Sequence, residues 1–558
     1  MSAVSLRDVS SKQLLGWCGI LYLGYLWWVR PRIGLPLLAD EVAFAAATQL
    51  APAQALQIIP HPPVYLGLLK LAAHLGGLHA WCLRMVGEAS FGLTLVGTAY
   101  AANALVPGAG GLAAVLWAMH PLAIQGSLVL DIDNTLLTAA MTFYLALLLT
   151  YPARVSARQL GWLGFAFAAC LWVKLSCAPF LIFATFLRAW SARLPRLAVR
   201  QTVGISVVAG AAFLITWMLL CGLTQIPILS IFQFLAASTY TGFQWTSLGM
   251  ELLNRVIRVG LWMNLWLVLL ISGLGIGLTR VAPRPDGRWW CVLGLTASIF
   301  LGYVVVRGPT VGFAKYQLPA LPAALILVAA SVRRVVDMRA LRSAVVLGAV
   351  SVIYFWVVGD VLYQVNFLLR VARITGEPSV KNAVAQLLWS SWWYMLPGVC
   401  VGWWAARASA GRVPRMLMGS LLLLIGSNLA LDVRQRQAAY ATTYTYGRPW
   451  ASFQEAVHFV SAYRQAHPQQ EIVGPLDVLW EAGVPYTARM YNRSLHDVDL
   501  LRQAAENPAV GCILYGTTTN DIRTWQTVLQ DPAFLQRLQQ RFVKVTLGRG
   551  EYSGWMRQ

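Results

Sequence analysis

The chain has 558 residues, 58% of them hydrophobic and only 12% charged, with a mean hydropathy of +0.59. That balance excludes an ordinary soluble globular protein, because apolar runs of spanning length recur from residue 14 to residue 431. A net charge of +21 and a pI near 10 would suggest nucleic acid in a soluble chain. Here the arginines fall in loops between apolar runs, so they belong to an anionic membrane face and no nucleic-acid partner is expected.

In chain order, the first apolar run, Leu14 to Val29, has no small-residue cleavage site after it and many runs beyond it. It reads as an uncleaved first helix. Runs at roughly 14–30, 82–105, 110–128, 134–152, 160–174, 176–190, 203–222, 256–279, 289–306, 313–331, 341–360, 385–405 and 414–431 predict about 13 transmembrane helices. The loop 31–81 contains two apolar pieces, Glu41–Leu56 and Pro62–Leu75, too short to cross and expected in the interface plane. Cys18, Cys170, Cys177, Cys221, Cys291 and Cys400 fall within apolar runs, so no disulfide framework is predicted.

The loops carrying Arg154 and Arg158, Arg188 to Arg200, Arg280 to Arg288, Arg333 to Arg342 and Arg407 to Arg415 all fall on one side, together with Arg7 and Lys12. The positive-inside rule places that side in the cytoplasm and everything after residue 431 outside.

Several chemistry-bearing residues then share the external face. An ionised carboxylate in hydrocarbon costs roughly 2.5–3.5 kcal/mol, so Asp40 and Glu41 sit at the interface, line a wet cavity or work chemically. They equally suit the first turn of a short helix. His61 precedes Pro62-Pro63, which can occupy a first turn and hold the imidazole rigidly ahead of a helix containing Tyr65. Arg84 and Glu88 lie one turn apart, either paired or serving a cleft. Asp131 and Asp133 form an Asp-x-Asp at the mouth of a span, and Lys174 breaks an apolar run at an external turn, where snorkelling to headgroups is the alternative. The segment from Arg307 through Lys315 and Tyr316 to Gln317 offers two cations and glycine backbone, which suits a phosphate.

From about residue 439 polarity rises to soluble values. Apolar periodicity predicts a helix over Trp450–His467, short runs at 471–474, 511–515 and 542–547 predict strands, and helices are expected at about 497–506 and 521–540. That alternation suggests a small α/β domain, with no phosphate-binding glycine motif.

Taken together, the acidic pair Asp40-Glu41, His61-Pro62-Pro63-Val64-Tyr65-Leu66, Leu83-Arg84, Asp131 and Asp133, and Lys315-Tyr316-Gln317-Leu318-Pro319 carry a resemblance. The chain resembles the membrane glycosyltransferases of the GT-C fold, within the dolichyl-phosphate-mannose protein mannosyltransferase-like superfamily, a group that includes bacterial aminoarabinose–lipid A transferases. His61 stands where those lipid A transferases usually carry lysine. The resemblance implies a polytopic α-helical membrane protein, GT-C-like, with a catalytic domain over 1–438 and a small C-terminal α/β extracytoplasmic domain over 439–558. It implies a bacterial inner-membrane location, with that domain periplasmic.

It further implies an inverting transferase that moves a sugar from a polyprenyl-phosphate donor to an acceptor glycan, lipid or protein. Asp40, Glu41 and Asp133 would be catalytic, with Asp40 as base. Lys315, Arg84, Tyr316 and Arg307 would bind the donor phosphate, and His61, Asp131 and Tyr65 would orient the acceptor. Glu41, His61 and Asp133 form a set able to hold Mg²⁺, Mn²⁺ or Zn²⁺, with no fixed spacing to choose among them. The competing class is a transporter or flippase for a lipid-linked carrier. The clustering of ionisable groups at one face, rather than at the midplane, favours the transferase.

Overall fold

The computed structural model describes residues 11–37, 40–190, 195–239, 287–305, 314–335, 450–484, 498–516, 530–547 and 552–558, with scattered positions between 421 and 432. It divides into two compact units. The first comprises Met1–Gly34, Ala47–Val358 and Trp393–Arg434; the second comprises Leu35–Ala46, Gly359–Trp392 and Gln435–Gln558.

The first unit is helical. Its described helices are α1 (Ser11–Ile33), α3 (Pro52–Ile58), α4 (Val64–Gly76), α5 (Ala80–Leu105), α6 (Gly110–Ala118), α7 (Pro121–Ser127), α8 (Thr138–Thr150) and α9 (Ala157–Val173), with α2 (Asp40–Ala47) belonging mainly to the second unit. Then follow α10 (Ala178–Trp190), α11 (Pro195–Thr224), α12 (Ser230–Thr239), α13 (Gly287–Val305) and α14 (Leu321–Val335). The helix α5 packs against α1, α4, α6, α8 and α14, so it is the central post of this bundle.

Two apolar helices show opposite environments. From Leu321 to Ala330, α14 is almost entirely buried, which its all-round apolar sequence requires. By contrast α11 exposes Val199, Val203, Val207, Leu214, Ile215, Leu219 and Leu223 along one side. A row of this kind is a lipid-facing surface. At 30 residues α11 is about 45 Å long, enough to cross a bilayer. Among the described residues three helical stretches are long and apolar enough to span: Asp133–Thr150, Pro195–Thr224 and Lys315–Arg334. The chain is a membrane protein. The runs at 256–279, 341–360 and 385–405 lie outside the described residues, as does most of 414–431.

Several single runs are broken, each for a local reason. The run 110–128 is two helices, because Pro121 has no N–H and His120 caps α7 by accepting from the Leu122 N–H through Nδ1 at 3.2 Å. The piece Glu41–Leu56 also divides, with Pro52 starting α3. A π-helical turn, Asp133–Leu137, leads into α8, and a 3₁₀ turn, Ala314–Ala320, leads into α14. Around Lys174 the chain makes two helices, α9 and α10, separated by the 3₁₀ turn Leu175–Cys177. The helices α5 and α7 approach closely at Gly87, where an added Cβ would collide with the Ser127 carbonyl oxygen.

The second unit contains a four-stranded sheet, β1 (Glu471–Val473), β2 (Val510–Gly516), β3 (Phe542–Leu547) and β4 (Tyr552–Arg557), in the order β1-β2-β4-β3. The β1–β2 pair is parallel and the others antiparallel. Alternation along β2 sends Ile513 and Tyr515 into a core with Phe534, Leu538 and Trp555. Cys512 and Leu514 enter another with Phe453, Val460 and Leu479. The strand β4 was not legible as a strand, because Ser553 and Gly554 interrupt its apolar pattern.

Candidate active site

Three interruptions of helical structure meet in the first unit: the π turn at Asp133, the 3₁₀ turn at Lys315 and the break at Lys174. The π turn packs on the 3₁₀ turn and against α5, α7 and α9. Each interruption carries a charged residue.

Asp131 organises the first of them. Its Oδ1 accepts the Asp133 N–H at 2.8 Å and the Asn134 N–H at 3.4 Å, capping the π turn. Its carbonyl accepts from the Thr135 hydroxyl at 2.5 Å. That leaves Oδ2 for Lys315, whose Nζ lies 2.8 Å away. Asp133 makes the second pair: Lys174 Nζ sits 2.6 Å from its Oδ2. Lys174 is held there by an extended backbone that ends α9, its N–H still donating to the Cys170 carbonyl. All four side chains are at least largely buried, with 15% exposure at most.

Tyr316 joins the two pairs. Its ring centroid lies 5.1 Å from Lys174 Nζ and 5.3 Å from Lys315 Nζ, both within cation–π range. Burying such pairs is costly unless the geometry is good, and their presence in an apolar bundle points to use rather than to stability.

His61 belongs to the same neighbourhood. Its ring meets Phe234 of α12 edge-on at 5.4 Å, and its backbone N–H donates to the Ile59 carbonyl at 2.7 Å. Burial, and then the Lys174 and Lys315 ammoniums, push its imidazole down to about 3 against an opposing pull from Asp131. His61 is therefore neutral here, offering hydrogen bonds rather than charge. Burial alone would raise Asp131. The Lys315 ammonium, with help from Lys174 and the Asp133 amide, outweighs burial and holds it below the usual carboxylate range.

The other predicted residues stand on other elements or are undescribed in part. Tyr65 is buried in the first turn of α4. Arg84 is buried on α5, where its Nη1 donates to the Ile33 carbonyl at 3.1 Å and the Arg32 carbonyl at 3.5 Å, at the end of α1. A cation there complements the helix C-terminus. Asp40 opens α2 and Glu41 is buried on it, in the second unit; only the backbone of Asp40 is described. Arg307 lies outside the described residues.

Lys174 was not among the predicted site residues. Its signal was a lone cation interrupting an apolar run on the face that carries the aspartates, but nothing in the sequence names Asp133 as its partner. Among the described residues no three His, Cys, Asp or Glu side chains gather to hold a metal. With a lysine ammonium on each of Asp131 and Asp133, these two acids do not fit a dication.

Similarity to solved structures is long in extent and low in sequence. ArnT from Cupriavidus metallidurans in the apo state matches with a TM-score of 0.52 at 15% identity, covering 97% of this chain and 97% of that one. The structure of the same protein bound to undecaprenyl phosphate matches with a TM-score of 0.50 at 14% identity, covering 97% and 98%. No family model and no curated protein sequence matches. The chain has the GT-C fold, as its motifs implied.

Proposed function

We propose that this protein is an integral-membrane inverting glycosyltransferase, which moves a sugar from a polyprenyl phosphate to a glycan, lipid or protein acceptor at the outer face of the membrane. The observation that carries this reading is the buried network Asp131–Lys315, Tyr316 and Lys174–Asp133. It lies in a fold of which one solved example holds undecaprenyl phosphate. In the same reading the protein is a multi-pass protein of the bacterial inner membrane, its N-terminus cytoplasmic and residues 439–558 a periplasmic domain.

Transfer breaks the bond between the sugar C1 and the phosphate oxygen, whose electron pair stays on the phosphate. A new bond forms between C1 and the acceptor oxygen with inversion. A hydroxyl is a poor nucleophile, so its proton passes to a carboxylate, assigned here to Asp40, with Glu41 orienting the acceptor. Lys315 and Lys174 supply charge to the departing phosphate, and Arg84 and Arg307 are further candidates for that role. Asp131 and Asp133 hold the two ammoniums in place before the donor arrives, so less reorganisation remains for the reaction itself.

Comparing lipid-linked sugars and envelope glycans by mass spectrometry, with and without the gene, tests the reading. One polyprenyl-phosphate sugar should accumulate without it. Asp40→Asn should lower transfer by at least about 100-fold at unchanged expression, and undiminished turnover would reject Asp40 as base. A flippase would instead leave transfer intact when donor is supplied at the outer leaflet.

A further inference from the structure

The network has one loose end. Asp131 uses both carboxylate oxygens, one for two backbone N–H groups and one for Lys315. Asp133 uses only Oδ2, and its Oδ1 has no hydrogen-bond partner although the residue is only 3% exposed. Gln317, on the 3₁₀ turn packed against the π turn, is 6% exposed and its Oε1 likewise has no partner. A buried acceptor without a donor costs about 1–3 kcal/mol, more when charged, so two of them on adjoining turns mark a place where a ligand supplies donors.

Charge narrows the ligand. Among the described side chains of the network, Asp131, Asp133, Lys174 and Lys315 sum to zero, and His61 is neutral beside them. A polyprenyl phosphodiester brings one negative charge. An acidic sugar on it would bring a second, next to the unpaired oxygen of Asp133, whereas a neutral sugar adds none and an ammonium cancels the first. A carboxylate beside that oxygen is a like charge in a buried site, offers it no donor, and is strongly disfavoured.

We infer that the transferred sugar is non-acidic and donates an O–H or N–H hydrogen bond to Asp133 Oδ1, with Gln317 as the second acceptor of the same sugar subsite. This rests on the transferase reading above and adds the chemical class of sugar to it. Asp133 then does two things through two oxygens: Oδ2 holds Lys174 for the phosphate, and Oδ1 reads the sugar.

The test uses full-length protein in nanodiscs and four probes: bare polyprenyl phosphate, and the same carrier bearing a neutral hexose, an amino sugar or a uronic acid. The quantity read is each sugar-bearing affinity divided by that of the bare carrier, which a merely structural change would leave unmoved. The neutral or amino sugar should exceed the uronic acid by about tenfold or more. A stronger amino arm assigns the donor as N–H, and equal arms assign it as O–H. Asp133→Asn should cut the neutral-sugar ratio about tenfold and narrow discrimination against the uronic acid. Gln317→Met, which keeps the charges intact, should act in the same direction with a smaller effect. A uronic acid bound as well as the neutral sugar, or ratios unmoved in both variants because a structural water alone fills the place, would overturn the inference and leave the transferase standing. Failure of the wild-type protein to bind any of the four probes would take down both.

Discussion

Among the described residues of the first unit, the Asp131–Asp133 pair and Glu88 both bury carboxyl groups among apolar helices, and what meets the acid differs between them. At Asp131 and Asp133 each acid meets a lysine at 2.8 Å or less, and an aromatic ring bridges the two cations. At Glu88, on α5, the carboxyl is fully buried near Tyr25 and forms no salt bridge among the described residues. The Tyr25 hydroxyl lies 2.5 Å from Ser127 Oγ, and the Tyr22 hydroxyl donates to the Glu88 carbonyl at 3.2 Å, so this cluster ties α1, α5 and α7 together. The first arrangement sits on broken helices and carries separable charges. The second sits within regular helices and carries packing. The contrast teaches that an acid in an apolar segment is not by itself a functional signal; what surrounds it decides.

The comparison can be broken most sharply at Lys174. Lys174→Ala leaves Asp133 charged, buried and uncompensated, and should cost about 3–5 kcal/mol of stability, read by thermal unfolding in detergent. The double variant Lys174→Met with Asp133→Leu should recover most of that loss, and failure to recover would mean that packing, not charge, dominates the site. Next in size is activity. Lys315→Ala should lower sugar transfer by at least about 100-fold, while Glu88→Gln stays within about fivefold. Equal losses would erase the distinction drawn between the clusters.

Gly87→Ala probes the packing side, since its Cβ would press on the Ser127 carbonyl; about 1–3 kcal/mol of destabilisation is expected. Near neutral pH the smallest effect is that of acid. The folded protein keeps His61 neutral down to about 3, whereas the unfolded chain takes up that proton near its ordinary value of 6.5. Between those limits the unfolded state binds more protons, so stability falls as pH falls. His61→Gln should flatten that slope in acid unfolding profiles. The loss at Asp131 comes lower, below about pH 4, because its depressed folded value contributes stability only while it is ionised.

Much of the architecture was legible in advance. The runs 82–105 and 289–306 appear as α5 and α13 within a few residues, and the two-helix reading around Lys174 agrees with α9 and α10. The break at His120-Pro121 and the π turn at Asp133 were not read, because an apolar run has the same composition whether its hydrogen bonds are continuous or interrupted. At the candidate site, Asp131, Asp133, Lys315, Tyr316 and His61 were picked out by residue type and sidedness. Their pairing was not, and Arg84 proved to hold the end of α1.

By itself the sequence determined the membrane class, the positions of most described helices and three of the four strands, since these follow from hydrophobic periodicity over neighbouring residues. Only the tertiary structure decided that Asp131 meets Lys315 across 184 positions and Asp133 meets Lys174 across 41, leaving one carboxylate oxygen open. The reason is physical. A buried ion pair depends on distance and desolvation between segments brought together by packing, and local pattern carries neither quantity.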